Sequence, residues 1–236
     1  MKKKLVILSG AGMSAESGFS TFRDQGGLWE KHPVEAVATP EGWERNSKLV
    51  TEFYNSLRKG LVEAEPNQGH YDVAALEQDY DVTVITQNVD NLHERAGSTH
   101  VIHLHGELMR MCSSRQPDNP RYHRTLRDEE WEVPVGTLAG DGSLLRPWIV
   151  WFGEAVPNLD LAAREVEQAD IFVIIGSSLV VYPAAGLVHY APPAARLFLI
   201  DPKEVSVPTH RHVEVIREPA SRGVAELRRR LSIIDH

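Results

Sequence analysis

With 236 residues, 42% of them apolar, the chain can bury a core for one large domain with a smaller one inserted. A formal net charge of −8 leaves no basic footprint and argues against nucleic-acid binding. The single cysteine, Cys112, excludes an internal disulfide and fits a reducing, cytoplasmic setting; no apolar run is long enough to cross a membrane, and the one behind Met1-Lys2-Lys3-Lys4 is too short for a signal peptide.

In chain order, Leu5-Val6-Ile7-Leu8 predicts a buried parallel strand. It runs into Ser9-Gly10-Ala11-Gly12-Met13-Ser14-Ala15-Glu16-Ser17-Gly18. Strand, glycine-rich turn and helix start, in that order, open a dinucleotide-binding fold. Gly10 and Gly12 would let the backbone turn sharply and approach a pyrophosphate. Ser14 would offer its hydroxyl to the free amides at the helix start, where the dipole favours phosphate. A plain glycine-rich connection is the competing reading. From Gln25 to Pro66 the pattern is helical, with Leu49, Phe53, Leu57 and Leu61 at helical spacing and Ser47 offering a cap.

Val82-Thr83-Val84-Ile85 predicts the second strand, followed by Thr86-Gln87-Asn88-Val89-Asp90-Asn91-Leu92-His93. Ligands bind at such strand ends in open α/β sheets; an ordinary Asx-rich turn fits the same residues. Next come His103-Leu104-His105-Gly106-Glu107 and a polar stretch, Ser113 to Leu145, broken by Pro117, Pro120, Pro134 and a Gly140-Asp141-Gly142 turn. Ile171–Ile175 and Leu197–Ile200 predict buried strands, the first ending in Gly176-Ser177-Ser178, and Val213–Ile216 an edge strand. Ala220 to Leu231 places Val224, Leu227 and Leu231 on one helical face. Alternating strands and helices imply an α/β fold with a parallel sheet and helices on both faces. His105 is the candidate general base, since a neutral imidazole accepts a proton near neutral pH; a hydrogen-bonded structural histidine is the alternative. His103 is expected to face the opposite side.

The glycine turn, Gly18-Phe19-Ser20-Thr21-Phe22-Arg23, the Gln87-Asn88-Val89-Asp90 segment, His103-Leu104-His105-Gly106 and Gly176 to Ala185, in this order, resemble the sirtuins, the NAD-dependent protein deacylases. The resemblance runs from about Leu5 to Ala220. Gly27-Leu28-Trp29-Glu30, Thr39-Pro40-Glu41-Gly42 and Val150-Trp151-Phe152-Gly153-Glu154 are similar to the compact bacterial branch. The resemblance implies a Rossmann-like NAD-binding domain from residues 1–24, 66–107 and 146–236, and a small domain from 25–65 and 108–145, with the active site between them. It implies NAD as cofactor and an acylated-lysine protein as substrate, and leaves the oligomeric state open. His105, Asn88 and Asp90 would be catalytic. Gly10, Ala11, Gly12, Ser14, Glu16, Gln87, Gly176, Ser177, Ser178, Asp201 and Ala220 would contact NAD. So would Arg23, with Phe22 shielding the reacting ribose carbon from water. Val150, Phe152, Gly153, Glu154 and Val181 would flank the acyl-lysine peptide by β-augmentation; buried strand is the plainer reading of both runs. The products would be free lysine, nicotinamide and O-acyl-ADP-ribose. A mono-ADP-ribosyltransferase or NAD-cleaving enzyme, and a non-catalytic NAD-sensing module, are the alternatives.

Three departures from the family pattern bear on chemistry. Most sirtuins hold zinc on two Cys-x-x-Cys pairs, whereas only Cys112 occupies that region, with His123 and Asp118 at no matching spacing. A metal-free small domain is expected, packed around Tyr122, Leu126, Trp131, Val133 and Leu138. Sirtuins that remove succinyl or malonyl groups carry Tyr and, three residues on, Arg. Tyr54 and Arg58 would be the substrate contacts at the acyl group, but Tyr54 is followed at that distance by Leu57, and Arg58 comes one step later, turned by about 100°. Asp201 stands where Asn is usual near the adenosine ribose.

Overall fold

The computed structural model describes residues 2–18, 32–207 and 209–234, the last two by backbone alone. The strands are β1 (Lys4–Ser9), β2 (Asp81–Thr86), β3 (Val101–His103), β4 (Gly106–Ser113), β5 (Arg124–Thr125), β6 (Leu145–Ile149), β7 (Ile171–Ile175), β8 (Arg196–Ile200) and β9 (Glu214–Ile216). Among the described residues the α-helices are α1 (Val34–Val37), α2 (Pro40–Glu63), α3 (Gln68–Ala75), α4 (Leu92–Arg95), α5 (Leu159–Glu167) and α6 (Ala220–Ile234).

Six strands form one parallel sheet in the order β3-β2-β1-β7-β8-β9. The order reverses between β1 and β7, so this sheet has a topological switch point, the place where open α/β sheets bind ligands. Burial of both faces explains the unbroken apolar runs. Leu5 and Ile7 face a core shared with Val73 of α3 and with Val224, Leu227 and Leu231 of α6. Val6 and Leu8 face the other core, which holds Ala162 and Val166 of α5 and Leu187 and Val188 of a 3-10 helix over Ala184–Tyr190. The side-chain period of two along β1 thus builds a layer on each side.

A second, antiparallel sheet, β5-β4-β6, is inserted between β3 and β7. It shares a third core with α1 and α2, in which Val50, Phe53, Leu57 and Leu61 meet Leu108, Met111, Leu145, Ile149 and Trp151. The boundary expected at residue 146 therefore falls inside β6.

Four local expectations need correction. Among the described residues the glycine turn leads into two short 3-10 helices, Ala11–Met13 and Ala15–Ser17, where the sequence predicts an α-helix start, and Ser14 between them makes no side-chain cap. The long helix α2 starts earlier than Ser47, with Thr39 capping Gly42, and bends at Asn46, whose own side chain accepts from the Leu49 amide. Within the small unit Leu126 and Val133 are buried, but Leu138 is 61% exposed and outside that core. His103 and His105 do not face opposite sides, because residues two apart on an extended segment share a face. Both rings reach the segment after β2.

Candidate active site

The carboxyl ends of β1, β2, β3, β7 and β8 bring most of the candidate residues together. The glycine turn is anchored at the switch point: the Gly10 amide donates to the Ile175 carbonyl and the Gly12 amide to the Gly176 carbonyl, each at 2.9 Å. A Cβ on Gly10 would lie 2.8 Å from the Gly176 oxygen, and one on Gly12 2.7 Å from the Gly176 Cα. Gly176 itself has φ +59°, and a Cβ there would lie 2.5 Å from Gly12 backbone. These glycines are needed for two backbones to meet.

Asn88 and Asp90 sit on the loop after β2, and Ser14 joins them to the turn. The Ser14 hydroxyl donates to Asp90 Oδ2 at 2.8 Å and accepts from Asn88 Nδ2 at 3.1 Å. Asn88 Nδ2 also reaches the Gly10 carbonyl, and Asp90 Oδ1 accepts from the Leu92 amide. Burial raises the Asp90 pKa, and the Leu92 and Ser14 hydrogen bonds oppose that rise. Gln87 spans the switch point, its amide donating to Ser177 Oγ at 2.8 Å. Ser177 also accepts from the Leu179 amide. Leu179 has φ +54°, a left-handed conformation that costs a branched side chain energy. Ser178 is exposed. Asp201, at the end of β8, uses Oδ1 to accept from the Lys203 amide.

His105 is poised by its tautomer. Nδ1 lies 3.0 Å from the Gln87 carbonyl, which can only accept, so Nδ1 carries the proton and Nε2 holds the lone pair. Burial lowers its pKa and the Gln87 bond opposes this, so the ring is neutral at pH 7. The Val150 amide donates to the His105 carbonyl, which places the Val150–Glu154 loop beside it. Phe152 is exposed and its amide donates to the Ala38 carbonyl; Gly153 has φ +93°.

Several polar side chains do work that their sequence setting did not reveal. The Glu16 carboxylate accepts from the Ser221 amide and hydroxyl, tying the glycine turn to the first turn of α6, where Ala220 is buried. Asn67 donates to the Met13 carbonyl and Ser17 Oγ while capping α3. Arg146 forms a two-pronged pair with Glu154 at 2.8 and 3.0 Å and lies 3.5 Å from the Trp151 ring centre. Glu154 also accepts from the Trp151 amide, so it braces its own loop from within. The Glu16 and Asn67 bonds join residues remote in sequence, and no local motif announces them.

Tyr54 and Arg58 are both buried, and Arg58 is 0% exposed. The Tyr54 hydroxyl accepts from the Trp151 indole at 3.0 Å. Arg58 donates to the carbonyls of Trp131 and Leu108, to Met111 Sδ and to Asn55 Oδ1. Burial lowers its pKa to about 10. The guanidinium is a structural strut between α2 and the small sheet, so the expectation that it contacts substrate is corrected. Phe22, Arg23 and the 27–30 segment lie outside the described residues.

The donor set suits NAD. A backbone turn meets the strand ends at the switch point, amides and a buried carboxylate lie on one side of it, and Asp201 lies on the other with one oxygen outside its turn bond. Zinc does not fit. Cys112 is fully buried, its thiol pKa pushed up to about 12 by burial, and it approaches only the Pro147 carbonyl. Among the described residues no three His, Cys, Asp or Glu side chains gather as a ligand set.

The Sir2 family model matches residues 10–183. An NAD-dependent protein deacylase of Bacteroides thetaiotaomicron is 63% identical over 97% of this chain and 98% of its own. One of Helicobacter pylori is 49% identical over 95% and 96%. A solved Sir2 homologue in complex with NAD superposes with a TM-score of 0.86 at 37% identity, covering 99% of this chain and 91% of that one.

Proposed function

The chain belongs to the Sir2 family and is an NAD-dependent protein deacylase, and from that premise we propose how its own residues divide the work. Bound NAD would supply the electrophilic ribose carbon, and the reaction, which consumes one water, would yield nicotinamide, free lysine and O-acyl-ADP-ribose. Gly10, Ala11 and Gly12 receive the pyrophosphate on a turn held rigid against Gly176. Ser177, Ser178 and Asp201 take the adenosine half, and Gln87, Asn88 and Asp90 orient the nicotinamide half before its bond breaks. Ser14 keeps Asn88 and Asp90 in place. Ala220, buried in the first turn of α6, and Glu16, bonded to Ser221, support the site from behind.

His105 Nε2 takes a proton from a ribose hydroxyl. The observation that carries this assignment is the Nδ1 bond to the Gln87 carbonyl, which leaves Nε2 as the basic atom in a neutral ring. Val150, Phe152, Gly153 and Val181 line the peptide path, and Glu154 braces it through Arg146. The cleft between the six-stranded sheet and the unit built on α1, α2 and β4–β6 forms the site. The lone cysteine supports a reducing, cytoplasmic setting.

The acyl group it removes is neutral and short, with acetyl the first choice. Tyr54 is bonded to Trp151 and Arg58 is consumed by main-chain carbonyls. Among the described residues neither side chain leaves a free cation for an acyl carboxylate, and an unpaired buried charge costs several kcal/mol. The test is mass spectrometry of matched acetyl- and succinyl-lysine peptides with and without NAD. Acetyl turnover at least tenfold more efficient is expected. Succinyl preference that vanishes in Arg58→Ala would show that Arg58 leaves its strut to hold the acyl carboxylate.

A further inference from the structure

His103 is buried at the end of β3, two residues before His105, and both of its ring nitrogens face acceptors. Nε2 lies 2.7 Å from Glu94 Oε1 and Nδ1 lies 3.2 Å from the Asn88 carbonyl. A carbonyl can only accept, and an ionised carboxylate can only accept. A neutral imidazole carries one N–H and would leave one contact facing two lone pairs. Only the imidazolium satisfies both.

From this geometry we propose that His103 is a positively charged positioning residue, clamped by Glu94, that holds the Asn88 carbonyl and so fixes the Gln87–Asp90 segment for the nicotinamide end of NAD. The proposal rests on the reading of that segment given above. His103 and His105 then hold two successive carbonyls, Asn88 and Gln87, with opposite proton inventories. One ring is doubly protonated and fixed, the other singly protonated and free to act. The groups facing His103 agree in sign. Burial disfavours its charge, but Glu94 on α4, Glu107 on β4 and the Asn88 carbonyl raise its pKa above the ordinary value. Asp90 is near enough for the His103 charge to steady its carboxylate. His93 beside it stays neutral, since burial lowers its pKa and the His70 and His103 charges lower it further. The Asn158 amide donates to the His103 carbonyl and pins the backbone.

A raised pKa means that the clamp is complete below the ordinary histidine value and is lost as pH rises through the His103 value. The test joins two measurements on the full chain. Ring ¹⁵N NMR should show both His103 nitrogens protonated at pH 7. The pH profile of kcat/KM for NAD should fall on its alkaline side, and Glu94→Gln should move that fall about one unit toward lower pH, lowering kcat/KM by about tenfold on the limb. His103→Gln, which can donate but not ionise, should erase the limb. A neutral His103 ring at pH 7, or a limb that Glu94→Gln leaves in place, overturns the proposal. If the wild type releases no nicotinamide from NAD at any pH, the functional reading fails while the NMR signal still decides the charge.

Discussion

A general base is worth about 10²–10⁴-fold. His105→Ala should therefore lower deacylation by at least about 10²-fold while NAD still binds, because the phosphate turn is untouched; near-normal turnover in a folded variant would refute the assignment. A second pair of histidines predicts an acid limit. His70 and His93 are buried, with rings 4.9 Å apart. Burial lowers the His70 pKa to about 4 and holds His93 well below its ordinary value. Both lie below the unfolded value of 6.5, so the unfolded chain binds more protons below that pH. Their contribution is complete above pH 6.5 and falls away toward pH 4. A series of melting temperatures across this window should slope downward with acid, and His70→Gln should flatten it. Much at this scale was legible: the glycine turn, Gln87 to Asp90 and His105 announce themselves through residue types at strand ends. The partners of Ser14, Glu16, Asn67 and Arg58 were not, because a side chain's bonding partner is set by tertiary approach. His103 was misplaced by an error of period, since two steps along an extended chain return to the same face.

At the scale of elements, the parallel strands were readable because strands buried on both faces need unbroken apolar runs. The two 3-10 helices after Gly10 were not, because the same residues suit an α-helix start and the seam against Gly176 is a tertiary contact no local pattern announces. That seam makes its own prediction. Gly176→Ala places a methyl 2.5 Å from Gly12 backbone in a left-handed conformation. It should cost about 1–3 kcal/mol and weaken NAD binding at least tenfold. Gly60→Ala, with open space around its Cβ in an exposed stretch of α2, should stabilise by about 0.5–1 kcal/mol. Equal shifts in chemical denaturation would show that the crowding is illusory. The small sheet hid from sequence reading because β4 and β6 carry Arg110, Arg146 and Pro147, whose costs are met by Trp148, Glu154 and an edge position.

For the whole molecule, the metal-free reading of the small unit needs another brace in place of zinc. Ser113 donates to Asp141 at 2.6 Å and meets Ser143 at 2.9 Å, while Asp141 also accepts from the Ser143 amide and hydroxyl. The Ser113 and Ser143 bonds pull the Asp141 pKa down to about 2. This clasp closes the end of the sheet where β4 leaves and β6 begins. A chelator should leave the melting temperature unchanged, whereas Ser113→Ala should lower it by the equivalent of about 1–2 kcal/mol. Chelator-induced melting, with stoichiometric zinc by elemental analysis, would contradict the metal-free reading. The order in which the chain is made adds a constraint of another kind. Leu5 lies beside Ile171 in the finished sheet. At about 5–20 residues per second, β1 leaves the ribosome on the order of ten seconds before its neighbour β7 exists. Until then its apolar edge is open to wrong partners, and folding of so non-local a pairing is slow. The small unit, complete by Trp151, can close first. A polypeptide released before Gly176 therefore lacks any cradle for a nucleotide, and β1, waiting for β7, is a natural client for chaperones.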